Sequence, residues 1–234
     1  MTEILTKSIA EVINNNLEIY LECLRNNVNV ENFEDLLKES IEIGIIDLTK
    51  VGERFFIYCV ENNLCKIIEI ILKDEIVDPS VRNNYAMCYA VEYGNTEMVK
   101  LLLSDNRVDP SASYNYAIRM ATRYCNTELV KLLLADSRVD PSAVDNCAIR
   151  LAAEYGHAEV VKLLLADNRV DPSANNNYAI CITSEYGYTE IVKLLLADNR
   201  VDPSARNNYA IHYAEENGHT EVVKLLKKYN KIGK

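Results

Sequence analysis

From about residue 81 onward, apolar and polar positions keep a fixed phase. Between Asn146 and Gly156, the small or apolar residues Ala148, Ile149, Ala152 and Ala153 recur at helical spacing and Gly156 closes the run. Gly94, Gly187 and Gly218 close the corresponding runs elsewhere. A second apolar run of the form V-V-x-L-L-L follows each time, with Glu in its first turn. The pattern predicts two helices per unit, with Asn146 capping the first helix and Thr96, Thr127, Thr189 and Thr220 capping the second; Ala158 replaces the threonine once. The polar stretch A-D-N-R-V-D-P-S-A, with its turn proline, then returns the chain to the next unit.

The unit can be counted. Asp78, Asp109, Asp140, Asp171 and Asp202 are each followed by Pro-Ser and lie 31 residues apart. The consensus is N-Y-A-I-x-x-A-x-E-Y-G-x-T-E-V-V-K-L-L-L-A-D-N-R-V-D-P-S-A-x-x. Such a period predicts an all-α helical repeat solenoid, each unit burying its apolar face against its neighbours. Ala86, Ala117, Ala148, Ala179 and Ala210 recur in the first helix, where a small side chain lets helices stack at the usual separation of ~8–10 Å or closer.

These motifs resemble the ankyrin repeat. "YAIHYA", Tyr209 to Ala214, stands where the family has T-P-L-H-x-A, and "GHAEVVKLLL", Gly156 to Leu165, follows the family's second helix almost letter for letter. The likeness covers roughly residues 51 to 230. A narrower resemblance, to the asparagine-rich ankyrin proteins of giant DNA viruses (mimivirus-like), rests on the N-Y-A-I and R-V-D-P-S wording. Tyr and Ala replace Thr-Pro, with Cys147 for the Tyr once, and the interval from the Leu run to the first helix is two residues short. We therefore expect ankyrin-type 31-residue units with shortened hairpin fingers. Cys125 stands at a Gly position, where a left-handed residue pays a side-chain penalty, so a differently bent corner is expected there.

The ends are less regular. Residues 1–50 are expected to be an N-terminal helical capping segment, with a helix pair around Asn14 to Asn16 and a further helix in "ENFEDLLKESIEIGIID"; 51–234 form the repeat array. Arg54 to Ser80 reads as a degenerate first repeat with Asn63 at the Gly position. "KKYN" replaces L-A-D-N in the last unit, so Lys227 and Lys228 mark a C-terminal cap.

Charge and composition narrow the function. The net charge of -10 argues against nucleic acid and anionic membranes as partners, and each local excess of charge is read as acidic. The start lacks a secretory layout, and seven cysteines without C-x-x-C or metal spacing fit a reducing compartment. An intracellular, cytoplasmic protein is expected, in the host cell cytoplasm if viral. The Glu97/Lys100 type of pair, repeated in every unit, is an i, i+3 helix pair and not a catalytic ladder. No phosphate loop, nucleophile triad or metal motif occurs, so no enzyme, cofactor or metal is expected.

Function then falls to protein recognition, by a monomer. The resemblance implies a concave binding face built from the residue pair before each Gly and from the finger. The matching pairs are Glu92 and Tyr93, Arg123 and Tyr124, Glu154 and Tyr155, Glu185 and Tyr186, Glu216 and Asn217; the finger adds Arg82, Ser113, Val144, Asn175 and Arg206. Tyrosine suits such a role, combining contact area with a hydroxyl. Equally, the tyrosines could only stack on one another along the array. Asp105, Asp136, Asp167 and Asp198 with Arg107, Arg138, Arg169 and Arg200 are expected to form a stiffening ladder, each Arg reaching the Asp of a neighbouring repeat. The alternatives are a self-associating component of a viral or intracellular assembly and a substrate adaptor of a degradation complex.

Overall fold

The computed structural model describes residues 14, 15, 17, 18, 20–22 and 30–232; among these every regular element is a helix. The chain divides into two compact units, residues 1–109 and 110–234.

In the first unit, α1 (Val30–Glu42) precedes two helix pairs, α2 (Leu48–Glu61) with α3 (Cys65–Asp74), and α4 (Val81–Glu92) with α5 (Thr96–Leu103). First helices pack on first helices and second on second, α2 against α4 and α3 against α5. The expected break at Asn14 to Asn16 does not form at its first two positions. Asn14 and Asn15 are helical, and the buried Asn14 side chain donates to Ile45 O at 3.0 Å and accepts from Asp47 N at 2.9 Å. The rest of the first predicted helix lies outside the described residues.

The second unit repeats the pair four times: α6 (Ala112–Arg123) with α7 (Thr127–Ala135), α8 (Ala143–Glu154) with α9 (Ala158–Leu165), α10 (Ala174–Glu185) with α11 (Thr189–Leu196), and α12 (Ala205–Glu216) with α13 (Thr220–Ile232). Burial follows the predicted phase. In α8 and α9, Ala148, Ile149, Ala152, Ala153, Val160, Val161 and Leu164 are buried, and Val170 of the return loop joins them. The last helix runs on where inner ones stop, and Lys227 bridges back to Glu215 on α12 at 2.7 Å.

The shortened finger takes an unusual form. From α4 onward, each first helix opens with three consecutive residues in the left-handed region: Arg82-Asn83-Asn84, Ser113-Tyr114-Asn115, Val144-Asp145-Asn146, Asn175-Asn176-Asn177 and Arg206-Asn207-Asn208. A left-handed turn of L-residues costs about 1–2 kcal/mol per residue, least for Asn and Asp. Three sets of bonds offset this. Asn146 N donates to Ser142 O at 2.7 Å, closing the turn. Asp140 Oδ1 accepts from Ser142 N and Ser142 Oγ at 2.9 and 2.6 Å, so the D-P-S stretch is rigid before the turn begins. Finally, Asn146 Oδ1 accepts from Asp171 N of the next repeat at 2.7 Å, as Asn84 does from Asp109 and Asn177 from Asp202. The Asn of N-Y-A-I is therefore a bridge between repeats, where a cap of its own helix was expected.

Nor do the threonines cap the second helices as expected. The residue before each one is the N-cap, and Thr96 and Thr189 hydroxyls donate to the Gly94 and Gly187 carbonyls at 3.5 and 3.3 Å. Cys125 keeps the ordinary corner at φ 57°, with Cys125 N on Thr122 O and Asn126 N on Ala121 O, the same pair of bonds that closes the Gly156 corner. The expected distortion is absent because two backbone bonds outweigh one side-chain penalty.

Candidate functional site

The predicted residues occupy two registers of the repeat. Arg82, Ser113, Val144, Asn175 and Arg206 are the first left-handed residues of their turns, while Glu92, Arg123, Glu154, Glu185 and Glu216 are the last residues of the same first helices. Tyr93, Tyr124, Tyr155, Tyr186 and Asn217 are the C-caps that follow. The registers are separated by one short helix, about 12 Å at 1.5 Å per residue, so they are two rows on each unit and not one cluster.

The tyrosines of the second unit stand out from the surface: Tyr124 is 56% exposed, Tyr155 43% and Tyr186 48%. Among the described residues their rings do not contact one another. Tyr155 instead packs against His157 (centroids 6.0 Å apart) and Tyr186 against Tyr188 (5.8 Å). In the first unit Tyr93, 66% exposed, stacks on Tyr89 at 4.3 Å. At two corners a histidine follows and reaches back one repeat: His157 Nε2 meets Arg123 O at 3.0 Å and His219 Nε2 meets Glu185 O at 2.9 Å. A Cβ on Gly156 would lie 2.9 Å from the Tyr188 ring, and one on Gly187 2.5 Å from His219, so the close approach, with φ of +75°, requires glycine there.

The glutamates are engaged. Tyr178 hydroxyl donates to Glu154 Oε2 at 3.2 Å, Tyr209 to Glu185 Oε2 at 2.5 Å and, in the first unit, Tyr85 to Glu61 Oε1 at 2.8 Å. Burial and the acceptor carboxylate push the Tyr85 phenol up to about 12 and Tyr178 upward; for Tyr209 the Glu185 hydrogen bond is the larger cause. The helix pattern alone does not predict this 24-residue link, although the sequence carries a signal for it: where Arg123 replaces Glu, Cys147 replaces the Tyr 24 residues on.

Arginines hold the turns. Arg119 donates to Tyr114 O and Ser113 O (3.1 and 3.2 Å), and Arg150 to Asp145 O and Val144 O (2.9 and 3.1 Å). Where that position is Cys181, Arg206 of the following repeat serves instead, reaching Asn176 O and Asn175 O at 3.1 and 2.6 Å. Arg82 pairs with Glu53 at 3.0 Å. The Asp–Arg ladder differs from expectation. Arg169 pairs with Asp167 of its own repeat at 2.6 Å and crosses the junction to backbone carbonyls, Val139 O at 2.8 Å and Leu134 O at 3.2 Å. Arg107 does the same with Asp105, Val77 O and Leu72 O. The guanidinium bond holds the Asp167 and Asp105 carboxyls below the usual range.

Among the described residues no group of three or more His, Cys, Asp or Glu side chains is placed to hold a metal ion, and no helix is long and apolar enough to cross a membrane. Burial pushes the Cys181 thiol up to about 11, away from nucleophilic character at neutral pH.

Comparison with known proteins agrees with this geometry. No curated protein matches the chain. Among solved structures, the crystal structure of EF0377, an ankyrin repeat protein, superposes with a TM-score of 0.63 at 27% identity, over 74% of this chain and 96% of that one. The family model for ankyrin repeats matches in three copies, over residues 55–145, 87–176 and 149–234. With more than half its length so matched, the chain belongs to the ankyrin-repeat family.

Proposed function

We propose that the protein is an interaction scaffold that binds a partner protein through its first-helix face, the counterpart of the family's concave surface, and catalyses nothing itself. The observation that carries this reading is the tyrosine row of the second unit: Tyr124, Tyr155 and Tyr186 are about half exposed and spend none of that exposure on each other. Rigid, half-exposed aromatics held by a corner glycine or cysteine make low-entropy anchors. Glu154 and Glu185 join the face as acceptors already oriented by Tyr178 and Tyr209. In this reading residues 1–50 cap the array, and the protein acts as a monomer in the cytoplasm, with neither nucleic acid nor membrane as partner; the giant-virus resemblance makes that the host cytoplasm.

Affinity capture from a host lysate tests it, comparing wild type with a Tyr124→Ala, Tyr155→Ala, Tyr186→Ala variant whose melting curve shows it folded. A protein retained by wild type and lost by the variant supports the face. Equal retention by both rejects it.

A further inference from the structure

The arginines of the second unit fall into two groups. Arg138, Arg169 and Arg200, in the return loops after the second helices, are each paired with an Asp two residues earlier at 2.6–2.7 Å. Arg119, Arg123, Arg150 and Arg206, on the first helices and their turns, lie in no ion pair among the described residues. Each of these four instead sits over a tyrosine ring: Arg119 over Tyr116 at 5.7 Å, Arg123 over Tyr155 at 5.7 Å, Arg150 and Arg206 over Tyr178 at 5.8 and 5.6 Å. Turn carbonyls and ring faces orient a guanidinium without neutralising it.

The charge is also unevenly spread. Residues 1–109 hold ten lysines and arginines against twenty aspartates and glutamates, so they carry the whole net charge of -10; residues 110–234 hold fifteen of each. The second unit is therefore neutral as a whole, where an acidic chain was expected throughout. Along its first helices, the positions three and seven residues after the N-Y-A-I tyrosine share one face: Arg119 and Arg123, then Arg150 and Glu154, then Cys181 and Glu185, then His212 and Glu216. The face runs from basic at α6 to acidic at α12. Arg119 and Arg123 are like charges one turn apart, an arrangement unfavourable in the free protein that a bound carboxylate would relieve.

We propose that the α6–α8 end of this face docks an acidic peptide segment, its carboxylates meeting Arg119, Arg123 and Arg150 and an apolar side chain lying against Tyr124 and Tyr155. The assignment rests on the first-helix face being a protein-binding surface and names the chemistry of its partner. A peptide fits better than a nucleic acid strand: the basic stretch ends on α8 itself, where Glu154, followed by Glu185 on α10, would repel a continuing phosphate backbone.

The test is selection of a random linear peptide library displayed on phage against the full chain, followed by affinity measurement of the enriched peptides on wild type, Arg123→Glu and Lys162→Glu. Lys162→Glu makes the same charge change on the exposed face of the second helix α9. The expected result is enrichment of Asp- and Glu-rich peptides, bound ~10-fold or more weaker by Arg123→Glu and unchanged by Lys162→Glu. Peptides without acidic bias that are lost by the triple tyrosine variant but indifferent to Arg123 overturn the acidic-segment proposal and leave the binding face standing. No enrichment, or binding indifferent to both arginine and tyrosines, overturns both. Equal weakening by Arg123→Glu and Lys162→Glu, or Arg123-dependent binding of a labelled single-stranded oligonucleotide in place of peptides, also overturns it.

Discussion

Cys125 and Val144 show how much a single residue carries here. Both sit in the left-handed region, Cys125 at a helix corner where three other repeats of the same unit have glycine and Val144 opening a turn, and Val144 is β-branched and 47% exposed. Each therefore pays a backbone penalty with little burial in return. Cys125→Gly and Val144→Asn are expected to raise stability by about 1 kcal/mol each, read as a rise in the midpoint of thermal or urea unfolding. The penalty at Cys125 was legible in the sequence, because the consensus marks the position as glycine. Its outcome was not, since that depends on the Cys125–Thr122 and Asn126–Ala121 backbone bonds, which a sequence does not weigh against a side chain. The Glu–Tyr link was also written in the sequence, in the joint change of Arg123 and Cys147, but only a hydrogen bond across two repeats gives that spacing a meaning.

At the scale of the element, the two-helix unit was readable in full from the apolar phase, and the turn between units was not. A short left-handed turn has no hydrophobic period, and Asn before Tyr-Ala-Ile looks like a helix cap. What distinguishes a bridge from a cap is the partner, Asp171 N in the next repeat. Asn146→Ala should therefore cost about 2 kcal/mol, combining a lost bond, an unpaired backbone N–H and a poorer left-handed residue. Asn208→Ala, exposed and without a following repeat among the described residues, should cost distinctly less. The paired melts discriminate: equal losses would mean that the turn alone, without the bridge, sets the energy. Arg169→Ala should cost on the order of 1 kcal/mol, because two carbonyls of the preceding repeat lose a donor along with the Asp167 ion pair, and it should leave partner binding intact.

For the whole molecule, two sets of groups set the pH range of stability. The carboxyls of Asp105, Asp136, Asp167 and Asp198 are lowered by their arginines, so the unfolded chain binds protons more readily and the stability they contribute is lost as pH falls below about 4. The phenols of Tyr85, Tyr178 and Tyr209 are raised, so their contribution is complete below the ordinary phenol value of about 10 and lost as pH climbs above it. Unfolding midpoints should be level between these limits and fall at both ends; replacing Tyr209 by Phe should blunt the alkaline fall, and an unchanged alkaline limb would show that other groups govern it. The family, the 31-residue unit, the helix pair and the buried stripe are all legible in the linear chain, because period and polarity are local properties that survive in one dimension. How the short finger closes, which glutamates are already engaged and which arginines remain without a carboxylate become visible in three dimensions. Those depend on which partner a side chain meets, from an Asp two residues away to a Tyr, backbone N–H or carbonyl 24 to 35 positions along the chain, and the partner of a charge, and not its identity, determines whether it holds the fold or faces outward.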